Sequence, residues 1–194
     1  MRLISSLLAM FILSACSMQP LQNRADPLQV EVAKNTFVTL PTPAQLQRTL
    51  DISQLISAQW GEQQQQLMVQ LQVDSQQLVL AAFSAWGAPL LSVKYTEQKI
   101  ETSTIPGLAA NLPKPEQVLF NVMLSIWPAQ AWQTPFANIG WSLMATEKQR
   151  LLMDGNGDLI MQIDYQTTPH LQGLITIKHL QLNYIINIET YNGQ

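Results

Sequence analysis

Apolar and polar residues alternate along most of the chain, which is the pattern of β-strands that bury one face. The clearest example is residues 66–74, where Leu67, Val69 and Leu71 fall on one face and glutamines dominate the other. The alternation runs from residue 52 to residue 100 and is interrupted at Asp74-Ser75 and at Trp86–Pro89, which have the composition of turns. This pattern predicts an antiparallel meander.

The C-terminal part of the chain returns to the same alternation. Its last segment is the most regular, because Tyr184, Ile186 and Ile188 alternate with polar residues and only Ile185 interrupts the polar side. We predict strands at residues 141–145, 151–153, 159–165, 175–179 and 182–190.

A different pattern separates these two groups of strands. Five prolines lie from Pro106 to Pro135, and between them residues 115–126 form a helical stretch that is apolar on most of its circumference. Its polar positions form one stripe, Gln117, Asn121 and Ser125. Because such a helix is unstable on a wet surface, we predict that it is enclosed by the protein or plugs the inside of the sheet.

Two groups of strands around one apolar helix predict an α+β fold. We expect an open, strongly curved antiparallel β-sheet, equivalent to an incomplete β-barrel, capped by short helices. Thr42-Pro43 places a capping hydroxyl before a proline and predicts another short helix through Leu46 and Leu50. Val30, Val32 and Phe37-Val38 predict one short edge strand before it.

The N-terminus has the organisation of a bacterial lipoprotein export signal. Met1-Arg2 precedes an apolar run from Leu3 to Leu13, which is too short for a typical membrane-spanning helix. Leu13-Ser14-Ala15-Cys16 matches the lipobox, in which the cysteine sulfur receives diacylglycerol before cleavage. The alternative is an ordinary secreted protein that keeps one cysteine. We predict a signal peptide at residues 1–15, a lipid-anchored tether at 16–41 and one folded domain at 42–194.

Cys16 is the only cysteine, so the fold has no disulfide, and attached acyl chains such as palmitate would hold the protein on a membrane. Ser17 follows it where an aspartate would signal inner-membrane retention. We therefore predict an outer-membrane lipoprotein that faces the periplasm.

The rest of the composition excludes several classes of function. After removal of Arg2, nine basic and thirteen acidic residues remain without a basic cluster, so no nucleic-acid partner is expected. The chain has no nucleophile elbow, phosphate-binding glycine loop or Cys-His pair. We therefore predict no catalytic residues, no enzymatic activity and no cofactor.

A metal site is also not expected. Asp154–Asp158 resembles the start of a calcium-binding loop, but Leu159 replaces the required glycine and Tyr165 replaces the required glutamate. Turn residues between two strands explain this segment better. His170 and His179 are the only histidines and have no adjacent cysteine or carboxylate pair.

Two segments carry a resemblance to a known family. Residues 80–91, LAAFSAWGAPLL, look like a strand, loop and strand in which an apolar residue before glycine projects from the protein, and residues 173–191 look like a closing pair of strands. With the lipobox and the order of elements, the chain resembles LolA and LolB, the carrier and receptor of outer-membrane lipoproteins, and an uncharacterised family of proteobacterial lipoproteins that shares their fold.

The resemblance implies an apolar cavity for an acyl chain, with a helical lid and Trp86 on the projecting loop. An exposed Trp86 would contact a membrane, whereas the alternative is an indole folded back over the sheet. Five tryptophans and eight methionines suit either such a cavity or a plain core. The side chains expected to line the cavity are Leu71, Leu80, Met123, Leu124, Ile163 and Ile186.

The function predicted from these observations is binding of an acyl chain, a lipid or a lipoprotein for transfer at the envelope, by a monomer. The alternative is a non-catalytic accessory lipoprotein with a filled core that docks an envelope assembly. A cavity in the structure would favour lipid binding, whereas a filled core would favour the docking function.

Overall fold

A computed structural model describes residues 28–105 and 114–191, which form two antiparallel sheets and short helices. The small sheet is a hairpin of β1 (Gln29–Ala33) and β2 (Thr36–Thr39). The strands of the large sheet are β3 (Leu50–Trp60), β4 (Gln63–Val73), β5 (Gln77–Phe83), β6 (Pro89–Thr96), β7 (Ile100–Thr104), β8 (Ser142–Ala145), β9 (Gln149–Met153), β10 (Leu159–Tyr165), β11 (Ile175–His179) and β12 (Tyr184–Tyr191).

The large sheet is built from two meanders joined in its middle. Its order is β7-β6-β5-β4-β3-β12-β11-β10-β9-β8, so that neighbours in space are neighbours in the chain everywhere except at β3 and β12. The β3–β12 pair runs from Tyr184 opposite Trp60 to Tyr191 opposite Ser53. The two edge strands of this ten-stranded sheet are β7 and β8, and the predicted open antiparallel sheet is therefore confirmed.

Helix α1 (Pro115–Ile126) lies against the inner face of this sheet and has the predicted bounds. It begins with a proline at its first turn and ends at Trp127, whose extended backbone is the one that a following proline favours. Every residue from Val118 to Ile126 is buried, which confirms that the helix is enclosed. Helix α2 (Gln133–Ala137) and single 3-10 turns at Pro43–Leu46, Ala129–Trp132 and His170–Gln172 complete the described structure.

The sheet must curve around α1, because the helix contacts strands that a flat sheet would keep apart. It contacts β6 and β7 on one side and β11 on the other, and six steps separate β7 from β11 in the strand order. Strands are spaced about 4.8 Å apart, so six steps in a flat sheet would cover roughly 29 Å. A helix is only about 10–12 Å wide with its side chains. The predicted curvature is thus confirmed by the contacts.

The C-terminal half of α1 is fastened to the sheet by polar groups that the sequence pattern did not assign to the core. The buried Arg150 guanidinium donates a hydrogen bond to the Leu124 carbonyl oxygen, and the Tyr165 hydroxyl donates to the Ser125 carbonyl oxygen at 2.9 Å. The indole N–H of Trp127 donates to the carbonyl oxygen of Thr42 at 3.1 Å. The bonds to Leu124 and Ser125 satisfy carbonyl groups at the helix end, where the helix itself offers no donor.

The folded domain begins earlier than the predicted boundary at Thr42. Val30, Val32 and Val38 of the β1–β2 hairpin are buried in the core, and Nε2 of His179 contacts the Val32 carbonyl oxygen at 3.1 Å. Burial lowers the pKa of His179, which favours the neutral ring whose Nε2–H donates this bond. The tether predicted for residues 16–41 therefore cannot extend over residues 28–41.

Two further expectations need correction or lie outside the described ranges. The helix predicted from Thr42 through Leu50 is a single turn that ends at Leu46, because Leu50 already pairs with Val73 as the first residue of β3. The predicted signal peptide and Cys16 lie outside the described residues. In residues 28–105 and 114–191, no helix is both long and apolar enough to cross a membrane.

Leu71 and Met68 lie on opposite faces of β4 and provide a matched test of this core. Leu71 is fully buried, whereas Met68 is 40% exposed. We expect Leu71→Ala to lower the free energy of unfolding by about 2–5 kcal/mol, because it removes buried contacts and leaves a void. Met68→Ala should change the free energy by less than about 1 kcal/mol. Urea denaturation followed by tryptophan fluorescence measures both, and equal losses would contradict this assignment of faces.

Candidate ligand-binding cavity

A cavity of about 390 Å³ lies between the N-terminal half of α1 and the strands β3, β4 and β12. Apolar side chains line most of it, and amides and one lysine contribute the polar part. The lining residues are Ile56, Ala58, Trp60, Gln63, Gln65, Leu67, Lys114, Gln117, Val118, Asn121, Val122, Leu182, Tyr184, Ile186 and Ile188.

The sheet side of the cavity consists of three rows, each with one side chain from β12, β3 and β4. The register of the strands sets these rows, because residues opposite one another in antiparallel strands point to the same face. The mouth row is Tyr184, Trp60 and Gln63, the middle row is Ile186, Ala58 and Gln65, and the deep row is Ile188, Ile56 and Leu67.

Exposure falls steadily from the mouth row to the deep row. On β4, Gln63 is exposed, Gln65 is half-buried and Leu67 is buried. The middle row leaves space because Ala58, the smallest of the nine side chains, stands at its centre. The cavity is thus wet and polar at its mouth and apolar at its inner end.

The helix side is held by two polar contacts. The Tyr184 hydroxyl donates a hydrogen bond to Oδ1 of Asn121 at 3.1 Å, and burial raises the pKa of Tyr184 to about 12, so that the hydroxyl keeps its proton. Lys114 Nζ lies 3.3 Å from Oε2 of Glu31. A hydrogen bond from the Asn35 backbone N–H and the contact with Lys114 lower the pKa of Glu31. The rim therefore carries an ion pair between β1 and the start of α1.

The lining offers binding groups more than reactive ones. Its titratable side chains are Lys114 and Tyr184, and both are engaged as described. Asp164, which lies outside the cavity, accepts hydrogen bonds from Gln149 and Gln162 at 2.9 Å on the outer face of the sheet. The cavity can therefore bind an elongated apolar group and form hydrogen bonds with the polar end of that group.

Only Ile186 of the six side chains predicted to line a cavity lies in this one. The other five are fully or almost fully buried in the hydrophobic core: Leu71, Leu80, Met123, Leu124 and Ile163. The prediction is wrong for these five, because the C-terminal half of α1, together with the buried Trp127 and Trp132, fills the centre of the sheet.

The sequence contained a signal for the true position of the cavity. On the inner face of β4 the apolar alternation gives way to Gln63 and Gln65, and on β3 the same level carries the small Ala58. Polar and small residues on a face that is otherwise apolar indicate a place where the core is not filled. Asn121 and Tyr184 had no comparable signal, since their contact depends on where the helix lies.

Trp86 lies on the loop between β5 and β6 and is 95% exposed. Ser84 holds the loop, because its Oγ accepts the backbone N–H of Ala88 at 3.1 Å and its carbonyl accepts that of Gly87 at 2.9 Å. Gly87 has a φ of +77°, which a glycine adopts without strain. The alternative in which the indole folds back over the sheet is therefore not observed.

The Trp86 loop and the cavity mouth lie at the same end of the large sheet. β3 runs toward this end of the sheet, and β4 runs away from it. The connection between β5 and β6 and the connection between β11 and β12 lie at the same end. Leu180 and Leu182 of the β11–β12 connection are 53% and 41% exposed. Exposed apolar side chains thus flank the mouth.

The two other motifs considered in the sequence have structural roles. Oδ1 of Asp154 accepts the backbone N–H groups of Asn156 and Asp158 at 2.9 and 3.0 Å, which is the expected turn. His170 stacks on Tyr165 with the ring centroids 3.6 Å apart. Within the described ranges, no three His, Cys, Asp or Glu side chains are close enough to hold a metal ion.

Comparison with known proteins gives a structural likeness. No curated protein sequence matches the chain. Among solved structures, a LolA superfamily protein from Nitrosomonas europaea is similar over 75% of this chain and 85% of its own length, with 6% sequence identity and a TM-score of 0.43.

A family model gives the second finding. The model, described as a protein of unknown function, DUF3261, matches residues 51–192, a range that reaches from β3 to the end of β12. The match thus includes all ten strands of the large sheet as well as α1 and the whole sheet side of the cavity. Because it covers most of the sequence, the chain belongs to the DUF3261 family of proteins of unknown function.

Proposed function

We propose that this protein is an outer-membrane lipoprotein, anchored through lipidated Cys16 and facing the periplasm, that holds an acyl chain of a lipid or lipoprotein for transfer at the envelope. The observation that carries the proposal is the cavity beneath α1, which is open at one end and apolar at the other. Transfer of an acyl chain between binding sites requires no covalent step, so we assign no catalytic residues. We expect the protein to act as a monomer.

The dimensions and the lining of the cavity support this ligand class. A volume of about 390 Å³ falls in the range of small-molecule sites, which is roughly 300–1,000 Å³. The deep row of Ile188, Ile56 and Leu67 suits an apolar tail. The mouth, with Gln63 and the Lys114–Glu31 ion pair, suits a polar head.

The exposed residues around the mouth support a membrane as the place of exchange. A tryptophan that is almost fully exposed on a rigid loop is suited to insertion at a lipid interface. Trp86, Leu180 and Leu182 would bring the cavity mouth toward that interface, since they lie at the same end of the sheet. An acyl chain could then pass between bilayer and cavity with little exposure to water.

The accessory role remains as the second candidate, because the centre of the sheet is filled. Trp127, Trp132 and the buried leucines belong to the core that packs against the C-terminal half of α1. A protein that used this filled body as a docking surface would have no need for an occupied cavity. The presence or absence of a bound lipid therefore separates the two functions.

The first test compares two neighbouring residues of β12 that point to opposite faces. Ile186 lines the cavity, whereas Ile185 is 40% exposed on the outer face. We expect the protein purified from membranes to carry stoichiometric lipid, measured by native mass spectrometry and lipid extraction. Ile186→Glu should reduce occupancy about tenfold or more, because it places a carboxylate among apolar groups, and Ile185→Glu should retain the lipid. A lipid-free wild-type protein that also ignores added lipid would favour the docking role.

The second test concerns the loop at the mouth. A form that starts at Ser17 lacks the predicted anchor, so its partition onto vesicles measures contacts of the domain alone. Trp86→Ala should weaken this partition roughly tenfold to a hundredfold, since burial of a large apolar side chain contributes about 1.5–3 kcal/mol. Tyr191→Ala, which removes another exposed aromatic ring from the end of β12 opposite to the mouth, is the control. Equal partition of the Trp86→Ala and wild-type forms would remove the assigned role of this loop.

The third test concerns the anchor. Cys16 is the only cysteine, so one substitution removes the only thiol. Cells grown with labelled palmitate should label the wild-type protein and leave Cys16→Ala unlabelled, and only the wild type should fractionate with the outer membrane after signal removal. Ser14→Ala keeps the lipobox pattern and should be labelled normally. Retention of the label in Cys16→Ala would contradict the proposed attachment site.

A further inference from the structure

The cavity is closed at its inner end. The row that follows the deep row consists of Thr190, Gln54 and Val69. Gln54 and Val69 are buried, and the amide nitrogen of Gln54 donates a hydrogen bond to Oγ1 of Thr190 at 3.1 Å. On α1, the lining residue nearest to the C-terminal end of the helix is Val122, which is fully buried. A ligand that enters at the mouth can therefore advance only as far as the deep row and Val122.

The depth of the cavity is small compared with the length of the strands that form it. The mouth row and the deep row are four residues apart on each strand, which corresponds to about 14 Å. The opposite wall runs from Lys114, just before α1, to Val122, which corresponds to about 12 Å along a helix. The two walls thus give nearly the same depth.

The volume of the cavity limits how many acyl chains it can hold. About 390 Å³ equals the liquid volume of roughly thirteen water molecules, at about 30 Å³ each. A methylene group is of similar size, so that about a dozen carbon atoms of an acyl chain fit inside. The two long chains of a membrane phospholipid together exceed this volume, and the three chains of a bacterial lipoprotein exceed it further.

The free space is also concentrated at one place on the sheet. Along β3, the small Ala58 stands between Trp60 and Ile56. Across the sheet, it stands between Ile186 and Gln65. All five residues line the cavity. The four larger side chains therefore surround a single gap beneath α1, which suits one extended chain.

We infer that the ligand of this cavity is a lipid with a single acyl chain, and that about a dozen carbon atoms of this chain lie inside. The inference rests on the proposed function, since it names the ligand class of the same cavity. The chain enters with its apolar end first and contacts the deep row. Any further carbon atoms and the polar head remain at the mouth, beside Gln63 and Lys114.

The first measurement distinguishes one chain from two. The complete chain, purified in detergent, is incubated with equal concentrations of hexadecanoyl lysophosphatidylethanolamine and dihexadecanoyl phosphatidylethanolamine, which share a head group. Native mass spectrometry resolves the two complexes in one spectrum. We expect the lysophospholipid to be bound about tenfold more or better, because the second chain of the phospholipid would leave the micelle without finding apolar surroundings in the protein. The mass of any lipid that copurifies tells a fatty acid from a lysophospholipid.

The second measurement determines the depth of the cavity. The form that starts at Ser17 contains every described residue and needs no detergent, so the affinity for saturated fatty acids from octanoic to octadecanoic acid can be measured in buffer. Each additional methylene should strengthen binding about fourfold while it is buried in the cavity. The increase should stop near dodecanoic acid, because further carbon atoms remain at the mouth.

Two matched variants locate the cause of this limit. Ala58→Leu fills part of the gap, so the increase should stop at a shorter acid and dodecanoic acid should bind about tenfold more weakly or worse. Octanoic acid still fits and should bind as it binds to the wild type, which also shows that the variant is folded. Gln59→Leu makes the same addition on the exposed outer face and should leave the whole series unchanged.

The other outcomes contradict different claims. Equal or preferred binding of the phospholipid, an affinity that rises through octadecanoic acid, or an unchanged series in Ala58→Leu overturns the single-chain inference and leaves acyl-chain binding in place. Binding of no lipid in either measurement overturns both the inference and the proposed function. The two wild-type measurements decide the inference even if Ala58→Leu fails to fold.

Discussion

A short helix inside a sheet of much longer strands is the constraint on which the rest of this structure depends. The twelve residues of α1 extend about 18 Å, whereas the eleven residues of β3 and of β4 each extend roughly 36 Å. Arg150, Tyr165 and Trp127 fix the C-terminal end of the helix, and the cavity lies beside its N-terminal half. The cavity is the part of the inner face that the fixed helix and its neighbours leave unfilled.

The sequence predicted much of the fold, because the period of its apolar residues shows which face of each strand or helix is buried. The alternation of residues 66–74 and the apolar circumference of residues 115–126 gave the main strands and the exact bounds of the helix. Periodicity does not distinguish an apolar face that packs against another element from an apolar face that lines a cavity. Leu71 and Met123 have the same pattern in either case, which is why the predicted lining was mostly core. The position of the cavity depends instead on Ala58 and on where α1 lies.

The N-terminal boundary shows a second limit. The segment before Thr42 has only a brief apolar pattern, which predicts one short edge strand within a tether, yet Val30 and Val38 of a two-stranded hairpin are almost completely buried. Such short strands gain their stability from the helix and sheet around them and not from their own pattern. The resemblance of the chain to an uncharacterised family was a sound guide, since the chain belongs to one. The residues that line the cavity could be identified only from the three-dimensional structure.

The pairing of β3 with β12 also affects how the protein can be made. Every other neighbouring pair in the large sheet is close in the chain, but this central pair joins the first and last strands of the sheet. Contacts between such distant segments form slowly, and here they cannot form until the final strand has left the ribosome. Until then the large sheet lacks its central pairing. If the predicted export signal operates, this delay would favour passage through the membrane before folding is complete.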